Sequence, residues 1–185
     1  MIIPGLANSV LLDTNLIISK ARITERMKVA NLGCGASGLF VFPVASMIGK
    51  KGKVYAVDIL KTVLERISRV ARQENFTNIE TIWSNLEVYN ATKIESGSVD
   101  VALLINVLYQ SQHRPQILRE AIRLIKKDGY MLVVEWKNVS SPLGPPLEER
   151  VRKELLLTAA KKLGLVLEDE FEAGHYHYGL LFTKI

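Results

Sequence analysis

Residues 27 to 58 constrain the fold more tightly than any other part of the chain. An apolar run (Met27, Val29, Ala30, Leu32) breaks into Gly33-Cys34-Gly35-Ala36-Ser37-Gly38, a helix-compatible stretch follows, and a second apolar run ends at Asp58. The order is strand, glycine turn, helix, strand, acid. Glycines let the backbone turn tightly and approach a ligand without Cβ interference, and the free N–H groups where the helix begins favour a negatively charged or polar group. Asp58 stands at the predicted end of the second strand, where a carboxylate can accept both hydroxyls of a ribose. The pattern predicts an adenosine-containing cofactor.

Strand-like and helix-like segments alternate from residue 27 onward at the spacing of βαβ units, which predicts a parallel sheet covered on both faces. The predicted strands are Met27 to Leu32, Lys53 to Val57, Ile79 to Trp83, Val99 to Ile105 and Tyr130 to Trp136. The predicted helices are Leu39 to Ile48, Lys61 to Glu74 and Pro115 to Lys126, with a short turn near Leu86 and Gly129 as a helix stop. Ser141 to Pro146 reads as a loop, followed by a helix from Leu147 to Leu163 that Gly164 closes. Two further strand-like runs, Leu165 to Phe171 and Tyr178 to Lys184, are joined by Glu172 to His177 alone. That connection is too short for a parallel crossover, so the two runs pair antiparallel. The expected fold is α/β: a Rossmann-like, seven-stranded, mostly parallel sheet with helices on both faces and a C-terminal antiparallel hairpin. Residues 1–26 are expected to form a helical cap over one sheet edge, roofing the cleft, with residues 27–185 as the body of a single domain.

Composition limits the classes of function. With 185 residues and 48% hydrophobic content, one well-buried domain is expected. The one cysteine, Cys34, excludes an intramolecular disulfide framework and a cysteine-cluster zinc site, which fits a reducing cytoplasm. Neither an export signal nor a membrane-spanning run is read from the sequence. The net charge of +5 raises nucleic acid as a partner. Lys50-Lys51, Lys126-Lys127 and Lys161-Lys162, however, each fall at a predicted helix end, where cations oppose the helix dipole, and no aromatic residues interleave with them. A small-molecule partner is the first expectation and nucleic acid the second, with the oligomeric state open.

A glycine-rich turn followed by an acid is shared by nicotinamide-, flavin- and methyl-donor-binding sheets; the C-terminal hairpin separates them. From about residue 27 to 185 the chain resembles the class I S-adenosylmethionine-dependent methyltransferases. Their first glycine loop is commonly Asp-Leu-Gly-Cys-Gly-Thr-Gly, here Asn31-Leu32-Gly33-Cys34-Gly35-Ala36-Ser37-Gly38. Lys53 to Asp58 looks like the second strand with its ribose acid, Ser84-Asn85-Leu86-Glu87 stands where adenine is usually contacted, and Val99 to Asn106 looks like the fourth strand. Leu124 to Tyr130 looks like the family's Lys-Pro-Gly-Gly turn. The resemblance implies S-adenosyl-L-methionine as cofactor, held by Asn31, Gly33, Cys34, Gly35, Gly38, Asp58, Ile59, Asn85, Leu86 and Asn106. Three departures stand out: Asn31 replaces an acid and loses a charge, the glycine loop is one residue longer, and Asn85 replaces a frequent Asp.

Such a cofactor carries its own leaving group. Methyl transfer by in-line displacement then needs alignment first and a general base only when the nucleophile arrives protonated. Tyr109, Gln110 and His113 follow the fourth strand and could wall an acceptor pocket. Glu135 and Trp136 end the fifth strand, and an acid in so apolar a run needs a partner if buried. Tyr109 and Glu135 are therefore the catalytic candidates. His175 and His177 are placed on one strand face, in a hairpin role rather than as metal ligands, and no metal site is expected. The expected function is methyl transfer to a small-molecule acceptor. The alternatives are an RNA or protein methyltransferase, a non-catalytic cofactor-binding module, and a nicotinamide-dependent reductase.

Overall fold

The computed structural model describes residues 11–185; the part of the predicted cap before residue 11 lies outside the described residues. Seven strands form one sheet: β1 (Lys28–Leu32), β2 (Lys53–Asp58), β3 (Ile79–Trp83), β4 (Val99–Ile105), β5 (Ile125–Trp136), β6 (Leu165–Gly174) and β7 (His177–Lys184). Their spatial order is β3-β2-β1-β4-β5-β7-β6. β1 to β5 run parallel, β7 lies antiparallel between β5 and β6, and the expected architecture is the observed one.

Central parallel strands are covered on both faces and so read as unbroken apolar runs. β1 accordingly buries Val29, Ala30, Asn31 and Leu32 in succession. On one face pack α1 (Thr14–Lys20), α2 (Val41–Ile48) and α3 (Lys61–Gln73), through Ile17, Val44 and Ile67. On the other pack α4 (Arg114–Leu124) and α5 (Lys153–Lys162), through Leu118 and Leu156. α1 is capped by Asp13, whose carboxylate accepts from Leu16 N (2.9 Å), and it lies against β6: Asp13 N donates to Ala173 O (2.9 Å) and Lys20 pairs with Asp169 (2.8 Å).

Three predicted boundaries are corrected. The helix expected over residues 147–163 begins only at Lys153, because Arg150 is buried and its guanidinium donates to the carbonyls of Lys137, Val139, Leu143 and Pro145. Residues 137–150 thereby form a strap closed on itself, which contains the expected loop at 141–146 and takes in the first residues of the expected helix. Gly129 is not a helix stop: α4 ends at Leu124 and β5 follows directly, with Gly129 inside it against Asp100 O and the Ile125 side chain. The hairpin connection shrinks to a turn at His175 and Tyr176, since Gly174 and His177 are register partners. His175 is therefore exposed while His177 is buried, and the two do not share a face.

Candidate functional site

The carboxyl ends of β1, β2 and β3 open into a cleft of about 480 Å³, lined among others by Gly33, Gly35, Asp58, Ile59, Asn85 and Leu86. Its floor is the glycine turn, fastened by Gly33 N and Cys34 N donating to Val57 O (2.8 and 2.9 Å). Gly35 adopts φ +66° with nothing within 4 Å of where a Cβ would sit, so the backbone there is open to close approach. Gly38 serves the fold instead. At φ +62° an added Cβ would fall 2.2 Å from the Phe42 ring. Gly38→Ala is expected to cost roughly 2–5 kcal/mol, the sum of left-handed strain and overpacking, and urea unfolding would measure it.

The Asp58 carboxylate is almost fully buried and doubly anchored: Oδ2 accepts from Gly35 N (3.1 Å) and Oδ1 from Leu60 N (3.0 Å). Each oxygen keeps lone-pair capacity, and the residue lines the cleft. Ile59 and Leu60, 52% and 57% exposed, offer apolar surface at its mouth. Asn85 Oδ1 accepts from Glu87 N (3.0 Å), so part of its acceptor capacity is used within its own turn. Ser111 Oγ donates to Glu87 (2.6 Å), joining the loop after β4 to the one after β3. The Cys34 side chain packs into the core beside Phe40 and Val41. Burial first, and the Asp58 charge second, push its thiol up to about 12, so it is no nucleophile near neutrality.

A second group of polar residues occupies the ends of β1, β4, β5 and β7. Asn106 sits just past β4 at φ +56°, with its carbonyl accepting from Gln110 Nε2 (2.6 Å) and its Nδ2 3.1 Å from His177 Nε2. Glu135 is fully buried, and its Oε1 accepts from Val107 N (3.0 Å) and Leu108 N (2.7 Å), which fixes the short helix Leu108–Gln110 that carries Tyr109. Burial pushes the Glu135 carboxyl up to about 7. Burial, aided by Lys137 and Arg150, pushes the His177 imidazole down to about 4. His177 stacks on Trp136 (centroids 4.1 Å apart), which in turn carries the Arg150 guanidinium on its ring and Gly144 of the strap. Asn31 Nδ2, Asn106 Oδ1, Glu135 Oε2 and His177 Nδ1 are buried without hydrogen-bond partners among the described residues. His113 lies on the surface at the start of α4. Among the described residues no group of three or more His, Cys, Asp or Glu could hold a metal.

Arg150 and the pairing of His177 with Asn106 were not legible beforehand, because nothing local marks a loop arginine for burial and Asn106 lies 71 residues from its partner.

The profile of a family described as "Methyltransferase domain" matches residues 23–170. A demethylmenaquinone methyltransferase from Lactococcus lactis is 26% identical over 63% of this chain and 45% of its own length. An arsenite methyltransferase from Aquipseudomonas alcaligenes is 28% identical over 58% of this chain and 32% of its own. The chain thus spans less than half the length of these curated relatives. Among solved structures, a SAM-dependent methyltransferase from Aquifex aeolicus shares the fold, with TM-score 0.85, 22% identity, and 95% and 91% of the two chains covered. No helix among the described residues is long and apolar enough to cross a membrane.

Proposed function

The chain belongs to the methyltransferase-domain family, the class I S-adenosylmethionine-dependent methyltransferases, and on that footing we propose that it methylates a small, partly apolar acceptor by in-line displacement. The observation that carries the proposal is the Asp58 carboxylate, held by two backbone N–H groups at the edge of a cleft and retaining acceptor capacity for two ribose hydroxyls. Gly33 and Gly35 would admit the cofactor backbone-close, Ile59 and Leu86 would flank its base with Asn85 at the edge, and Cys34 and Gly38 keep the turn in shape. Asn31 and Asn106 would border its amino-acid end, where Asn31 Nδ2 has no partner among the described residues. S-adenosylmethionine supplies both the methyl group and its leaving group.

What remains for the chain is alignment, which is worth roughly 7–11 kcal/mol in well-oriented reactions. Tyr109 would wall the acceptor; burial and the neighbouring Glu135 raise its phenol, so it acts there as a neutral hydrogen-bonding ring. Glu135 holds the loop through Val107 and Leu108 and, poised near neutrality, would take a proton from a nucleophile that arrives with one. Within these residues the acceptor would meet the segment before β1, the loop after β4 and the strap at 137–150. The exposed Val139, Leu143 and Leu147 of the strap suit a small, partly apolar molecule better than a nucleic acid. Arsenite, named for one relative, is disfavoured here: soft As(III) calls for thiolates, and Cys34 is the one cysteine and buried.

The test has two stages. S-adenosylhomocysteine should raise the melting temperature and NADH should not. Incubated with a cell extract and methyl-labelled cofactor, the protein should place label in a solvent-extractable fraction resistant to nuclease and protease. Label confined to RNA or protein would overturn the small-molecule reading, and tight cofactor binding with no transfer to any fraction would overturn the catalytic one.

A further inference from the structure

Asn106 Nδ2 and His177 Nε2 lie 3.1 Å apart. An amide nitrogen can only donate, so this contact is a hydrogen bond only if Nε2 is bare, and the proton of the neutral imidazole then resides on Nδ1. The Leu11 carbonyl lies over Gly174, only 2.1 Å from where a Cβ would stand, and Gly174 is the register partner of His177. His177 Nδ1 is buried and has no hydrogen-bond partner among the described residues. Amide orientation and ring tautomer are therefore one choice, not two. Had the tautomer been reversed, the amide would turn over and offer its nitrogen.

We propose that His177 is a positioning residue: it occupies the Asn106 nitrogen and so reserves the Asn106 oxygen for a ligand group that donates N–H or O–H. Asn106 Oδ1 is buried without a partner among the described residues, and Asn106 has a left-handed backbone, a conformation that asparagine tolerates better than most non-glycine residues. The inference rests on the cleft holding a methyl donor and its acceptor. The donating group is then either the ammonium of the cofactor's amino-acid end or the nucleophile of the methyl acceptor.

Nuclear magnetic resonance of the full chain with 15N-labelled histidine and asparagine tests this without turnover. At about pH 5.5 and 7.5, His177 should remain neutral with Nδ1 protonated, whereas an unperturbed histidine titrates between them. Its signals are identified by their loss in His177→Gln. The Asn106 side-chain amide protons, identified by their loss in Asn106→Ala, should shift strongly in His177→Leu and stay near their native position in His177→Gln, whose Oε1 can accept the same hydrogen. An Nε2-protonated ring, or an Asn106 amide indifferent to His177→Leu, would overturn the proposal. If His177→Leu does not fold, the native tautomer and His177→Gln still decide it.

Binding of S-adenosylhomocysteine and of methylthioadenosine, which lacks the amino-acid end, separates the two sources. A loss of about tenfold for the first alone in His177→Leu assigns the oxygen to the cofactor, and unchanged affinity for both assigns it to the methyl acceptor. Failure of S-adenosylhomocysteine to bind the native protein would instead remove the functional reading on which the inference rests.

Discussion

Asp58→Ala is expected to weaken S-adenosylhomocysteine binding by about 100- to 10,000-fold while leaving the protein folded. Hydrogen bonds to a charged group contribute roughly 1.5–3 kcal/mol each, and two ribose hydroxyls would be released together. The substitution also frees Gly35 N and Leu60 N, which now donate to the carboxylate at 3.1 and 3.0 Å. The loop should therefore loosen slightly, with a stability loss of about 1–2 kcal/mol. Asp58→Asn separates these effects. One side-chain oxygen still accepts, but the NH₂ group cannot, so about one of the two sugar contacts survives and the loss should lie between native and Asp58→Ala. Calorimetric titration of the three proteins gives the series. Equal affinities across it, with unfolding curves intact, would show that Asp58 only staples the turn and would remove the central support for the proposed site.

The legibility of this site follows the range of the interactions that build it. The turn from Gly33 to Gly38 and the acid at Asp58 are fixed by glycine conformation and by one βαβ unit, and these lie within a short stretch of sequence. β4 matched the prediction at both ends because its apolar run is bounded by polar turns, and β3 matched through the β-favouring alternation of Ile79 to Trp83. The start of the helix after the Pro-rich loop was misread for a physical reason: Leu147, Glu148, Glu149 and Arg150 have helical composition, yet one buried guanidinium with four carbonyl partners outweighs that local preference. Glu135 could be flagged as an acid in an apolar strand, but not that two backbone N–H groups from the β4 loop would meet it. His177 was the least accessible, since its partner, its stacking ring and its covering segment come from three separate parts of the chain.

Glu135 and His177 should give the protein a pH profile of stability that their single variants pull in opposite directions. The native Glu135 carboxyl keeps its proton up to about 7 against an ordinary 4.5, so between those values the folded state holds a proton that the unfolded state lacks, and stability falls as pH rises. The native His177 takes its proton only near 4 against an ordinary 6.5, so in that window the unfolded state holds the extra proton and stability rises with pH. Burial is the leading cause of both shifts. Arg114 and the loop N–H groups temper the first, and Lys137 and Arg150 reinforce the second. Each shift corresponds to about 3 kcal/mol, and the two slopes cancel where the windows overlap. Glu135→Gln keeps the acceptor for Val107 and Leu108 but removes the titration. It should leave a stability that climbs by about 1.4 kcal/mol per pH unit between 4.5 and 6.5, and it should exceed the native protein in stability above pH 7. His177→Gln should slope the other way, losing stability from about pH 4.5 to 7. Urea unfolding at a series of pH values reads both directly. Two variant profiles running parallel to each other would mean that these groups do not bury opposite protonation states, and the proton that Glu135 is proposed to accept would need another home.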